Sequence, residues 1–307
     1  MAFLYALPGA VAEGLIWGLM AIGVYISYKI LDIADLSVDG SFCTGACVCA
    51  VLLGLGVPVW ICVPAALLTG ALAGTVTGLL HTLLGIPSIL AGILTQLMLY
   101  SVNLVILGGK SLMAVDHRAN VLMVHMSNNP MAIVAMIAMV AVTIIVLWQF
   151  FYTEVGLTLK STGDNPDMSR AQGVDVNRNK VIGLAIANGI VAMAGAMLAQ
   201  YKGSANINDG RGAIVIALAA IFIGLSVSLK IKPNFVVSLI GVVSGGVVYY
   251  IVYNFVILLG LKTDYLKMLS AVIVALFLGV PYMKAEYFTK QKTPQPNAKR
   301  SGGKADA

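Results

Sequence analysis

Glu154-Val155-Gly156-Leu157-Thr158-Leu159-Lys160-Ser161-Thr162-Gly163-Asp164-Asn165-Pro166-Asp167-Met168-Ser169-Arg170-Ala171-Gln172-Gly173-Val174-Asp175-Val176-Asn177-Arg178-Asn179-Lys180 is a polar island in an otherwise apolar chain. It carries four of the 19 Lys and Arg and four of the 13 Asp and Glu. A polar segment of this length between apolar spans reads as a functional surface, not a connector. Its place at mid-chain predicts a docking site on the cytoplasmic face of a membrane protein.

The flanks explain that reading. The 307 residues are 59% hydrophobic and 10% charged, with mean hydropathy +0.93; soluble domains carry about 25% charge. Roughly 20 apolar residues cross a bilayer core. Such windows fall near 9–30, 38–55, 57–82, 86–107, 130–152, 181–202, 212–229, 233–259 and 264–284. The window at 38–55 holds polar residues and reads as a broken or re-entrant helix. No basic region precedes the first window, so residues 1–30 are expected to be a retained helix. The expected organisation is a transmembrane domain over 1–284, with repeat one at 10–152, a coupling loop at 153–180 and repeat two at 181–284. A basic, disordered tail over 285–307 follows.

The net charge of +6 is a topology signal, not a sign of nucleic-acid binding. With the island inside, 13 Lys and Arg fall in inside segments and 6 in outside segments. That excess follows the positive-inside rule and predicts an outer N-terminus and an inner C-terminus.

Landmarks recur between the halves. Asp39-Gly40 matches Asp209-Gly210, Gly18 matches Gly189, and Gly70 and Gly74 match Gly241 and Gly245. Small residues spaced by four let helices approach closely in lipid. An odd number of spans between the matched points predicts inverted repeats, whose polar breaks mark a solute path. The fold expected is therefore all-α and polytopic: about nine spans in two inverted repeats, with a coupling helix between them.

Other motifs carry little chemistry. Leu107-Gly108-Gly109-Lys110-Ser111 ends like a phosphate-binding loop, but position 104 is Leu where the pattern needs Gly. Cys43, Cys47, Cys49 and Cys62 have no nearby His or carboxylate to complete a metal site; they read as small buried hydrophobes. His81, His117 and His125 lie at boundaries or in loops. Ionisable residues within spans are few, which argues against ion coupling. No catalytic residue, metal or cofactor is expected.

The island has local order. Gly163-Asp164-Asn165-Pro166 is a turn signal. Asp167 to Gln172 follows as a short helix, Gly173 is its stop, and Asn177 is the expected cap of the next helix. At this point Gly163 to Lys180 resembles the coupling-helix region of permease subunits of ATP-binding-cassette importers. The branch is that of branched-chain amino acids, ribose and related solutes. Ala192 to Ala199, Ile214 to Gly224 and Leu31 to Phe42 fit the same family, the last being most similar to uncharacterised or aromatic-amino-acid-linked members. The resemblance implies a non-catalytic subunit of a bacterial cytoplasmic-membrane importer. It also implies cytoplasmic ATPase subunits, an extracytoplasmic solute-binding protein and a second permease copy. It places ATPase coupling at Gly163, Asp164, Asn165, Pro166, Met168, Arg170, Gly173, Val174 and Asp175.

The polar breaks supply candidates for the path: Ser37, Asp39 and Ser41 on one side, Asn206 and Asp209 on the other. Arg211 belongs to the same second break, where path lining and an Asp209–Arg211 loop ion pair are equally weighted readings. Gln96 and Asn103, seven apart, share a helix face within a span; Asn188 is polar and deep in another. The expected solute is an amino acid, aromatic ones included. The alternative is an ion- or proton-coupled secondary transporter.

Overall fold

The computed structural model describes residues 2–115, 129–228 and 234–258, with isolated helical positions between 268 and 279. The elements are α1 (Ala2–Tyr25) with a π-helical turn (Ile26–Ile30), α2 (Val38–Gly54), α3 (Val59–Thr82), α4 (Ser88–Ile106), β1 (Leu112–Ala114), α5 (Asn129–Phe151), α6 (Glu154–Asp164), α7 (Pro166–Ala171), α8 (Val176–Lys202), β2 (Ser204–Asn206), α9 (Ala213–Ser228) and α10 (Phe235–Leu258).

Six of these helices are long and apolar enough to cross a membrane; α2 and α9 are apolar but shorter. The ninth expected span and the basic tail lie outside the described residues, apart from the isolated positions. A departure from an all-helical chain is the ribbon of β1 and β2, which pair antiparallel with Leu112 opposite Asn206. It joins the end of α4 to the end of α8.

Burial sorts the helices. The spans of α1 and α8 are 83% and 78% buried, against 28–44% for α3, α4, α5 and α10. In lipid an apolar surface does not by itself draw a helix inward; α8 is central because it carries buried polar residues, Asn188 and Gln200 among them, whereas α3 keeps an apolar outer face at Leu68, Leu72 and Val76. Small residues let neighbours approach the two central helices. A methyl on Gly70 or Gly74 of α3 would fall on α8 backbone at Asn188 or Leu184. Gly246 of α10 rests in the same way on Gly14 and Gly18 of α1.

The region 38–55, expected to be a broken helix, is continuous helix up to Gly54, and the break lies just before it. After the π-turn, residues 31–37 form a non-helical return segment, and α2 then runs without interruption. α2 lies parallel to the second half of α8: Ser41 bonds to Asn188, Gly45 abuts Ala192, and Gln200 Nε2 contacts Cys49 Sγ at 3.6 Å. The same order recurs in the second half, where the long α8 is followed by a break at 203–212, the short α9 and the long α10.

Candidate functional site

Residues 153–175 fold into a knob. Thr153 caps α6 by accepting a hydrogen bond from Gly156 N. Leu159 and Thr162 of α6 are buried, and Thr162 Oγ1 accepts from Asn179 Nδ2 of α8 at 3.0 Å. Gly163 sits against the Ile30 carbonyl, where a methyl would collide. The knob is therefore seated on the end of α1 and the start of α8. The buried residues of α6, Gly156, Leu159 and Thr162, recur at helical spacing, but only one of them is a large apolar side chain.

α7 is fixed at both ends. Asn165 caps it by accepting from Met168 N at 3.0 Å, and Pro166 occupies its first turn, where no backbone N–H is needed. At the other end Gly173 N donates to Arg170 O and Val174 N donates to Ser169 O, each at 3.0 Å. This is the Schellman arrangement, and Gly173 adopts the left-handed φ of 82° that it requires. The next helix is capped by Asp175, which accepts from Arg178 N at 3.1 Å. That corrects the expected cap, Asn177: helix begins at Val176 because that side chain is buried. Asp164, Asn165, Met168, Arg170, Gly173 and Asp175 are exposed, while Gly163, Pro166 and Val174 are half-buried. Arg170 pairs with Asp167 at 3.0 Å in the open, a contact of little energetic weight. The apolar point of the knob is Met168, 59% exposed.

A buried polar network holds the first break. Asn188 Nδ2 donates to Asp35 Oδ2 at 2.7 Å, and Asn188 Oδ1 accepts from Ser41 Oγ at 2.6 Å and Ser37 Oγ at 3.2 Å. Asp35 Oδ1 accepts from Ser37 N at 2.8 Å. All four residues are buried. Non-helical backbone at membrane depth is tolerated where protein covers it; here Gly92 of α4 packs on Leu36 N. Ser37 and Ser41 thus serve this network. Asp35 was legible only as part of a longer motif.

The two breaks meet at Asp39. Its Oδ2 accepts from Gly212 N and its Oδ1 from Ile214 N, both at 2.9 Å. Asp39 lies in the first turn of α2, so one carboxylate caps α9 from the start of the other short helix. The N-termini of α2 and α9 face each other, and the helices leave in opposite directions.

Beside this junction lies a cavity of about 430 Å³ lined by Asp39, Gly40, Cys43, Ile93, Gln96, Leu97, Tyr100, Asn103, Ile207 and Arg211. Three of the seven expected path residues come together here: Asp39, Gln96 and Asn103. Asn206 and Asp209 instead brace the loop between α8 and α9. Asn206 N donates to Asp209 Oδ2 at 3.0 Å, and Asn206 Oδ1 accepts from Asn208 N at 2.9 Å. Asp209 pairs with Lys202 at 3.6 Å, not with Arg211, the partner that the ion-pair alternative named. Arg211 lies over the Tyr100 ring at 5.6 Å. Tyr100 went unnoticed in the sequence, although positions 96, 100 and 103 share one helix face.

Gly108 and Gly109, at φ 65° and 82°, end α4 and turn the chain into β1. No helix starts there to receive a phosphate. The four cysteines are free and buried.

Apolar helices around a polar junction and cavity, with a capped knob at one end, define a multi-pass membrane permease. The chain belongs to the family described as branched-chain amino acid transport system / permease component, whose model matches residues 9–280. It is an ABC transporter permease of the bacterial inner membrane. It is 36% identical to a tyrosine transport system permease protein of Clostridioides difficile, over 87% of this chain and 88% of that one. An uncharacterised protein of Rickettsia prowazekii is 28% identical over 90% and 97% of the two chains. A ribose import permease protein of Escherichia coli is 25% identical over 87% and 82%. No solved structure matches the chain significantly.

Proposed function

We infer that this chain is the membrane-spanning subunit of an ATP-driven importer for an amino acid, aromatic ones included. Two copies form the path, ATPase subunits dock on the knob, and a binding protein delivers solute to the opposite face. The observation that carries this reading is the seating of the knob. α7 is capped, stopped and bonded through α6 to α8, so movement of a docked ATPase is passed to α1 and α8 as rigid bodies. The tyrosine permease likeness supports an amino acid as the solute.

Packing supports inverted repeats. α3 packs on α8 through Gly70 and Gly74, and α10 packs on α1 through Gly246. Each half runs long helix, break, short helix, long helix. The membrane sides follow from charge. Lys29, Lys160, Arg170, Arg178 and Lys180 lie at the knob end, against Lys110, Lys202 and Arg211 at the ribbon end. Cysteine placed at Ser111 is expected to be labelled from outside, and cysteine at Asp164 only after permeabilisation.

One observation favours ion coupling instead: the buried Asp35 carboxylate. Its donors, however, tie it to the break and to α8, as a structural anchor requires. Proteoliposomes holding the permease and its ATPase separate the two readings. Uptake of labelled amino acids should need ATP and the binding protein, and should survive collapse of ion gradients. Gradient-driven uptake without ATP would overturn the importer reading.

A further inference from the structure

We propose that the cavity beside Asp39 recognises the α-carboxylate and α-ammonium of an amino acid, with Arg211 as the counter-ion of the carboxylate and Asn103 Oδ1 as the acceptor of the ammonium. This rests on the importer reading and specifies its solute class.

The charges at the cavity are unevenly matched. Arg211 lines it and has no carboxylate within 4 Å among the described residues. Both nearby acids are engaged elsewhere: Asp209 holds Lys202 and Asn206 N, and Asp39 holds Gly212 N and Ile214 N. Arg211 is exposed at the cavity, so water solvates it until a carboxylate ligand, whose two oxygens fit its planar fork, takes that place. The Tyr100 face beneath it fixes its position. The N-terminus of α2, at Gly40, adds partial positive charge to the same wall.

A second, independent observation concerns Asn103. It is 1% exposed, it lines the cavity, and its Oδ1 has no hydrogen-bond partner. A buried acceptor without a donor is unusual, and a ligand ammonium supplies that donor. Ile93, Leu97, Tyr100 and Ile207 then offer an apolar wall to the solute side chain. The volume lies within the range of small-molecule sites. A neutral sugar would leave Arg211 without its anion, so the site discriminates against the solute of the ribose relative.

Protection from labelling tests this on the purified permease–ATPase complex. A reporter cysteine replaces Leu97, which lines the cavity and is exposed, on a background lacking the four native cysteines. Millimolar L-phenylalanine is expected to slow thiol labelling, whereas 2-phenylethylamine and D-ribose are not. Arg211→Gln is expected to raise the half-protecting concentration at least about tenfold, and Arg211→Lys by less. Equal protection by the amine or the sugar, or no protection by L-phenylalanine, overturns the proposal. Binding-protein-stimulated ATP hydrolysis is measured on the same preparation. Its persistence alongside failed protection shows that the importer reading stands and only the solute assignment falls.

Discussion

Asn188 and Asp35 are joined by a 2.7 Å hydrogen bond across 153 residues of chain. The bond ties the middle of central helix α8 to the return segment that precedes α2. Hydrogen bonds between helices in lipid average about 0.6 kcal/mol. This one lies wholly inside the protein, where an intramolecular hydrogen bond is worth about 0.5–1.5 kcal/mol.

Asn188→Ala is therefore expected to destabilise the protein by about 2–3 kcal/mol, because it also leaves Ser37 and Ser41 without their shared acceptor. Adding Asp35→Asn should cost little more, because the side-chain partner of that carboxyl is already gone. Thermal unfolding of the detergent-solubilised protein measures both. An unchanged transition in Asn188→Ala would show that the network does not hold the break.

Asp39 separates capping from path lining. Asp39→Ala removes two acceptors from the start of α9 and should cost about 1–2 kcal/mol. Asp39→Asn keeps one acceptor and should cost less. Thermal stability and uptake are expected to fall together across the pair. If Asp39→Ala unfolds at the wild-type temperature yet transports poorly, the carboxylate acts on solute and not on the helix.

Gly173→Val tests the stop of α7. A β-branched residue at φ 82° is strained by roughly 1–3 kcal/mol. Nothing crowds the site, since a Cβ there meets open space. The strain should loosen α7 while the membrane helices remain folded. Reduced ATPase co-purification with an unchanged unfolding transition is the expected result. Gly173→Ala should be intermediate; full co-purification by the Val variant would mean that α7 does not set the docking geometry.

The contrast between these sites shows what a sequence can reveal. Asn165, Pro166 and Gly173 act within four residues of themselves, so turn and stop chemistry exposes them. The face shared by Gln96, Tyr100 and Asn103 follows from helical spacing, and Gly70 and Gly74 from small-residue spacing. Asn177 was a poor cap choice because Asp175 offers the same chemistry two residues earlier, and burial of Val176 decides between them. The Asp39–Ile214 and Asp35–Asn188 bonds join residues 175 and 153 apart; local pattern carries no record of them. The three-residue strands β1 and β2 are too short to display a period.

The central claim is that the knob docks an ATPase, and Met168 provides the most direct measurement. A photo-crosslinking amino acid at Met168, the exposed apolar point of α7, is compared in native membranes with one at Leu68, exposed on lipid-facing α3. An adduct with the cytoplasmic ATPase is expected from position 168 and none from position 68. Absence of an ATPase adduct at 168, in membranes where the ATPase is present, would contradict it.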